Sequence, residues 1–334
     1  MRTKKIDILS YSNYIVLAII LIVFAIGGNN FLTLKSIYAT INNGSPLIII
    51  TCGVTFALLV GVIDLSVGAI GYAAGVAAGL LMNRLDMPVA LAFLCGIALG
   101  VFIGWVNSLF IVKFKMNPML VSLGMMLIIR AIARIFTDDK TVTLGDHVSA
   151  MRKARVAALG GMPMLMFGLI AVIIVCTFVL RHTPFGSKLL AVGCDEKVAR
   201  RIGINTDRIK TAALMTCGGV CGIAGCFWIV TLGSVVTTGL NSYEFLAIAA
   251  AVLGGTSLLG GRGSIYPGSV LGALILLFIS SGMSNMGVSI YAIPFVRGII
   301  IFIAMYVDSL RTQSMLKTPM STVQAKSAPA AAKP

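Results

Sequence analysis

The sequence predicts an all-α integral membrane protein with about ten transmembrane helices, arranged as two blocks of about five that divide near residue 162. Three observations predict it. Of the 334 residues, 58% are hydrophobic and 11% charged, and the mean hydropathy is +1.00. A soluble domain of this length lacks the polar surface to cover such a composition. Long stretches such as Leu165–Leu180 and Ser269–Ser289 carry no charge. These runs are apolar on every face, whereas membrane strands alternate, so the spans read as helices.

The first span, Tyr14–Gly27, follows the basic start Arg2, Lys4 and Lys5; with no small-x-small cleavage site after it, it reads as a retained anchor. Further spans fall near 45–63, 66–82, 89–112 and 118–136. The second block gives 162–180, 211–232, 244–260, 266–284 and 289–307. An even number of crossings puts both termini on one side. Most of the 26 Lys and Arg residues then fall on the side of the termini, which the positive-inside rule makes cytoplasmic. Lys140, Arg152, Lys153 and Arg155 run against the rule, because segment 137–161 falls outside. Residues 1–310 read as one transmembrane domain. The polar, Pro- and Ala-rich segment 311–334 reads as a disordered cytoplasmic tail.

The net charge of +15 does not indicate a nucleic-acid binder, because the basic residues are scattered among loops and ends, not grouped with aromatics. The seven cysteines lie mostly in apolar segments and read as small hydrophobes, with no disulfide framework and no metal expected. No GxxxxGK[ST] or HExxH occurs, and the Gly-rich Leu253–Gly268 departs from GxGxxG at Tyr266. Neither catalysis nor a bound cofactor is expected.

Lipid gives helices no hydrophobic reason to associate, so small residues spaced four apart become the packing signal. Gly71, Gly75 and Gly79, then Gly96, Gly100 and Gly104, and later Gly218 with Gly222 and Gly268 with Gly272, have that spacing.

Few ionisable groups lie in or beside the spans: Asp64, Arg130, Arg134, Glu244 and Arg297. Such groups are costly in a membrane unless paired or solvated. Asp64, in GVIDLSVGA, suits a cap on the N–H groups of Ser66 or Val67. Alternatively, Asp64 and Ser66 face a polar translocation path. Glu244 suits the positive end of the helix it begins, or the same path. Asn107 and Asn117 suit capping or interhelical bonding, with solute contact as the alternative.

The longest polar interval on the cytoplasmic side is FGSKLLAVGCDEKVARRIGINTDR, Phe185–Arg208. Asp195–Arg201 reads as a short helix that exposes Val198 among charges and stops near Gly203, the form of a stub entering a partner's groove.

The blocks GVIDLSVG, GWVNSLFIVKFKMNPMLVSLG, FGSKLLAVGCDEKVARRIGIN and AIAAAVLGGTSLLGGRGS, in that order, resemble the permeases of the ribose and galactose branch of bacterial ABC importers over roughly residues 36–310. The resemblance implies a homodimeric pore in the inner membrane, fed by a periplasmic sugar-binding protein and driven by a cytoplasmic ATP-binding cassette subunit. It places Gly193, Asp195, Glu196, Val198, Ala199, Arg200, Gly203 and Ile204 in the segment that meets the ATPase. Val62 and Ser108 stand where such permeases usually have glycine, and Cys194–Asp195 where they have Gly-Asn. Other solutes, nucleosides or branched amino acids, define a second reading, and an ion-coupled secondary transporter a third.

Overall fold

The chain is described by a computed structural model over residues 8–27, 31–144, 147–149, 151, 158–159, 162–289, 291–300, 302–303 and 306. The C-terminal segment 311–334 and most of 145–161 lie outside the described residues. Helix α1 spans Ile8–Gly27, α2 Leu34–Leu59, α3 Val67–Leu85, α4 Val89–Ser108 and α5 Pro118–Thr137. After it come α6 at Met164–His182, α7 at Pro184–Cys194, α8 at Glu196–Arg201, α9 at Thr206–Leu232, α10 at Tyr243–Leu253 and α11 at Val270–Asn285. Residues 292–300 are helical as well.

Among the described residues, six helical stretches are long and apolar enough to cross a membrane: Leu34–Leu59, Val89–Lys113, Pro118–Thr137, Met164–His182, Thr206–Leu232 and Ile265–Asn285. Asn13–Gly27 and Tyr243–Leu253 are shorter apolar helices. Two-residue strands join the connections: Val142–Thr143 (β1) pairs antiparallel with Ser234–Val235 (β4), and Ala158–Leu159 (β2) with Met162–Pro163 (β3).

Helix ends follow local chemistry. Asn117 Oδ1 caps α5 by accepting from Met119 N at 3.0 Å, with Pro118 at the first helical position. Asn205 Oδ1 accepts from Arg208 N at 3.0 Å, which starts α9 five residues before the span expected at 211–232. The span expected at 244–260 is broken: α10 stops at Leu253, where Gly255 (φ +90°) lets its own N–H reach Val252 O and that of Thr256 reach Ala251 O. This is the glycine helix stop, and an apolar count cannot see it because Leu258 and Leu259 continue the hydropathy beyond the break. Segment 254–264 is irregular backbone. It is tolerated where protein covers it, as Thr256 and Ser257 show by being buried.

Helices α2 and α9 form the centre, wrapped by α3, α4, α10, α11 and α6. The glycine rows act where the sequence places them. Methyl groups on Gly100 or Gly218 would overlap each other's carbonyl, so α4 and α9 meet backbone to backbone. Gly225 likewise abuts the Gly71 carbonyl on α3, and Gly272 that of Ala250 on α10. The outward faces of α1, α4, α5 and α6 carry exposed Ile, Leu and Phe, the surface that hydrocarbon covers.

Candidate functional site

The four path candidates gather at the first turn of α3. Leu59 ends α2, and the chain turns through Val60–Ser66 to start α3 inside the bundle. Asp64 Oδ1 accepts from Ser66 N at 2.8 Å and from Ser66 Oγ at 2.6 Å. Asn107, near the end of α4, donates from Nδ2 to Ser66 Oγ at 2.8 Å and more loosely to Asp64 Oδ2 at 3.5 Å. All three side chains are buried. Asp64 thus bonds the N–H of Ser66 just ahead of α3, whose first turn carries no side-chain cap, and Asn107 makes the interhelical bond. Asn107 Oδ1 is buried with no hydrogen-bond partner among the described residues.

Glu244 approaches the same turn from α10. A methyl on Gly68 would collide with Glu244 Oε2 and come within 3.0 Å of Leu240 O, so the missing side chain at 68 is what lets the start of α10 close on α3. Glu244 lies in the first turn of its own helix, the favourable end for an anion.

Its charge is balanced by a residue the sequence could not assign to it, Arg130 of α5, whose Nη2 lies 3.6 Å from Oε2. The same guanidinium donates to Gly239 O at 3.1 Å and Leu240 O at 2.9 Å, and its Cζ sits 5.7 Å from the Tyr72 ring centroid. Leu240 (φ +52°) and Ser242 (φ +64°) are held left-handed in this turn, a strained state that Arg130 pins. Only the pairing of one acid with one base in mid-span hinted at it. The other intramembrane bases have local partners, Arg297 Nε on Ser280 Oγ at 2.8 Å and Arg134 on Asp139 at 3.8 Å.

The second constellation is the polar stub. Asp195 Oδ1 caps α8 by accepting from Lys197 N at 2.8 Å and Val198 N at 3.0 Å. Gly203 (φ +84°) ends it, with Ile204 N donating to Ala199 O at 3.0 Å. Glu196 and Arg200 brace α8 against α9. Arg200 pairs with Glu196 at 3.0 Å and Asp207 at 2.8 Å, and Lys210 also bonds Glu196. The Thr206 hydroxyl accepts from Arg200 Nε at 2.8 Å and donates to Glu196 at 3.1 Å. The Lys210 hydrogen bond is the main cause that holds the Glu196 carboxyl below its usual range. The brace is therefore intact at neutral pH and weakens only as pH falls through that lowered value.

Ala199 is buried beneath α8, whereas Val198 is 51% and Ile202 69% exposed. Ile202 escaped the sequence reading, although its spacing of four from Val198 puts both on one helix face. Gly193, ahead of α8, packs against Leu59 and Gly261.

The family model described as branched-chain amino acid transport system / permease component matches residues 36–305. Ribose import permease protein of Escherichia coli (strain K12) is 30% identical over 304 residues, 90% of this chain and 94% of that protein. Its counterpart in Bacillus subtilis (strain 168) is 36% identical over 262 residues, 78% and 80%. Fructose import permease protein of Rhizobium meliloti is 32% identical over 301 residues, 88% and 83%. No solved structure matches the chain. With four-fifths of its length covered by one family model, the chain belongs to the family of transport-system permease components.

Proposed function

We propose that this protein is the membrane-spanning subunit of an ATP-driven importer that passes a monosaccharide into the cytoplasm. The observation that carries the reading is the alignment, over most of both chains, with permeases named for ribose, fructose and L-arabinose import. In this reading the chain crosses the inner membrane ten times with both ends cytoplasmic, works as a homodimer, receives solute from a periplasmic binding protein, and is moved by a cytoplasmic ATP-binding cassette subunit.

The exposed pair Val198 and Ile202, framed by Lys197 and Arg201, is the face offered to that motor. Asp64, Ser66, Asn107 and Glu244 border the path. Switching between outward- and inward-open arrangements requires only that the motor bind one arrangement better than the other. Solute passes unchanged.

The test is reconstitution with the partner ATPase and binding protein. Pentoses or hexoses are expected to stimulate ATP hydrolysis, and branched-chain amino acids and nucleosides to leave it at its basal rate. Stimulation by an amino acid alone would overturn the sugar reading. Glu196→Ala and Gly203→Ala, which unbrace or unwind α8, are expected to insert and fold normally yet lose stimulated transport.

A further inference from the structure

Gly193 marks a place where three chain segments come backbone to backbone. Its nearest neighbours are the Leu59 carbonyl at the end of α2 and Gly261 N in the segment after α10, and a methyl at 193 would overlap both. Gly261 N donates to Leu59 O at 2.9 Å. A methyl on Gly260 (φ +90°) would meet Gly61 N at 2.9 Å and Gly193 O at 3.0 Å. One on Gly261 (φ +73°) would meet the N, Cα and Sγ of Cys194, all at 2.8 Å. Cys194 Sγ lies 3.4 Å from Gly261 O, and the next residue, Asp195, caps α8.

We propose that the junction of Gly193, Gly260, Gly261 and Leu59 is a rigid relay that carries movement of α8 to the turn bearing Asp64. The proposal rests on the reading of α8 as the motor-docking stub. Side chains between elements cushion a shift by changing rotamer, whereas backbone packed on backbone has no such slack. A displacement of α7 at Gly193 must therefore move Leu59 or break its bond to Gly261.

Leu59 cannot yield alone. Gly61 N donates to Leu58 O at 2.9 Å and Val62 N to Ala57 O at 3.0 Å, so the end of α2 and the start of the turn move as one piece. Asp64 follows two residues later, tied to Ser66 and, across to α4, to Asn107. The rings of Phe56 on α2 and Phe185 on α7 stack with centroids 6.4 Å apart, a second contact between these two helices. The relay thus joins the stub to the polar cluster through a continuous run of backbone contacts and hydrogen bonds.

The experiment uses the permease assembled with its ATPase and binding protein, and compares Gly193→Ala and Gly260→Ala with Gly255→Ala. Gly255 has the same left-handed backbone (φ +90°) in the same segment, but open space where its methyl would go. The junction variants are expected to retain the ATPase subunit and basal hydrolysis while transport per ATP falls about ten-fold, and Gly255→Ala to stay within about three-fold of the parent.

Because a junction methyl can also impair folding, the unaltered permease is treated with methyl methanethiosulfonate before assembly. Cys194 is exposed, and Cys194→Ser serves as the insensitive control. Thiolation that lowers coupling in the parent and not in Cys194→Ser supports the relay. Normal coupling in Gly193→Ala or in the thiolated parent overturns it, as does an equal loss in Gly255→Ala. If Glu196→Ala and Gly203→Ala also transport normally, the docking reading itself fails. If they uncouple while the junction variants do not, the relay alone fails.

Discussion

Arg130→Met is expected to destabilise the folded protein by about 3–5 kcal/mol, because it leaves the Glu244 carboxylate buried with no counter-charge. The two side chains are only 13% and 6% exposed. Water therefore screens them little, and removing one partner costs far more than the pair contributes. The substitution also strips the donors from Gly239 O and Leu240 O, the two carbonyls of the strained turn before α10. Arg130→Lys is expected to recover only part of the loss, since a point charge cannot fork onto two carbonyls and stack over Tyr72. Replacing both partners, Arg130→Met with Glu244→Met, should be milder than Arg130→Met alone if the buried charge is the main cost. Thermal unfolding in detergent reads all three. A double variant less stable than Arg130→Met would show that carbonyl bonding, not charge balance, is the role of the arginine.

Gly218→Val is expected to be nearly as damaging, costing about 3 kcal/mol or more, at the upper end of what overpacking does elsewhere. Its side chain would enter the Gly100 carbonyl, and a peptide group has no alternative rotamer. The two helices must separate along their length, which also draws Gly104 away from Leu214 and Gly222 away from Gly96 and Ile97. The control is Gly124→Ala on α5, where nothing lies within 4 Å of the new methyl. That change should be neutral, or stabilise by up to about 1 kcal/mol through helix propensity. Equal melting temperatures for Gly218→Val and the parent would refute close α4–α9 packing.

Much of the bundle follows from local rules that a single chain carries with it. Apolar length marks the spans, Asn117 and Asp195 announce helix starts, and Gly203 announces a stop, because each acts on backbone groups within a few residues. The break after Leu253 was hidden for the converse reason. In a membrane protein apolar residues fill irregular segments as well as helices, so hydropathy loses its power to separate them.

By itself, then, the sequence determined the all-α membrane class, the glycine-lined helix faces, the charged stub at Asp195–Gly203 and the short roster of polar residues within the spans. Only the tertiary structure decided which of those residues meet. Asp64 joins Asn107 across 43 positions, Arg130 reaches Glu244 across more than a hundred, and Gly193 packs against Leu59 and Gly261 from distant parts of the chain. The physical reason is range. A cap or a helix stop is settled by neighbours along the chain, whereas a buried charge or a bare peptide face is satisfied by whatever a distant helix brings against it, and one chain's order of residues does not state that partner.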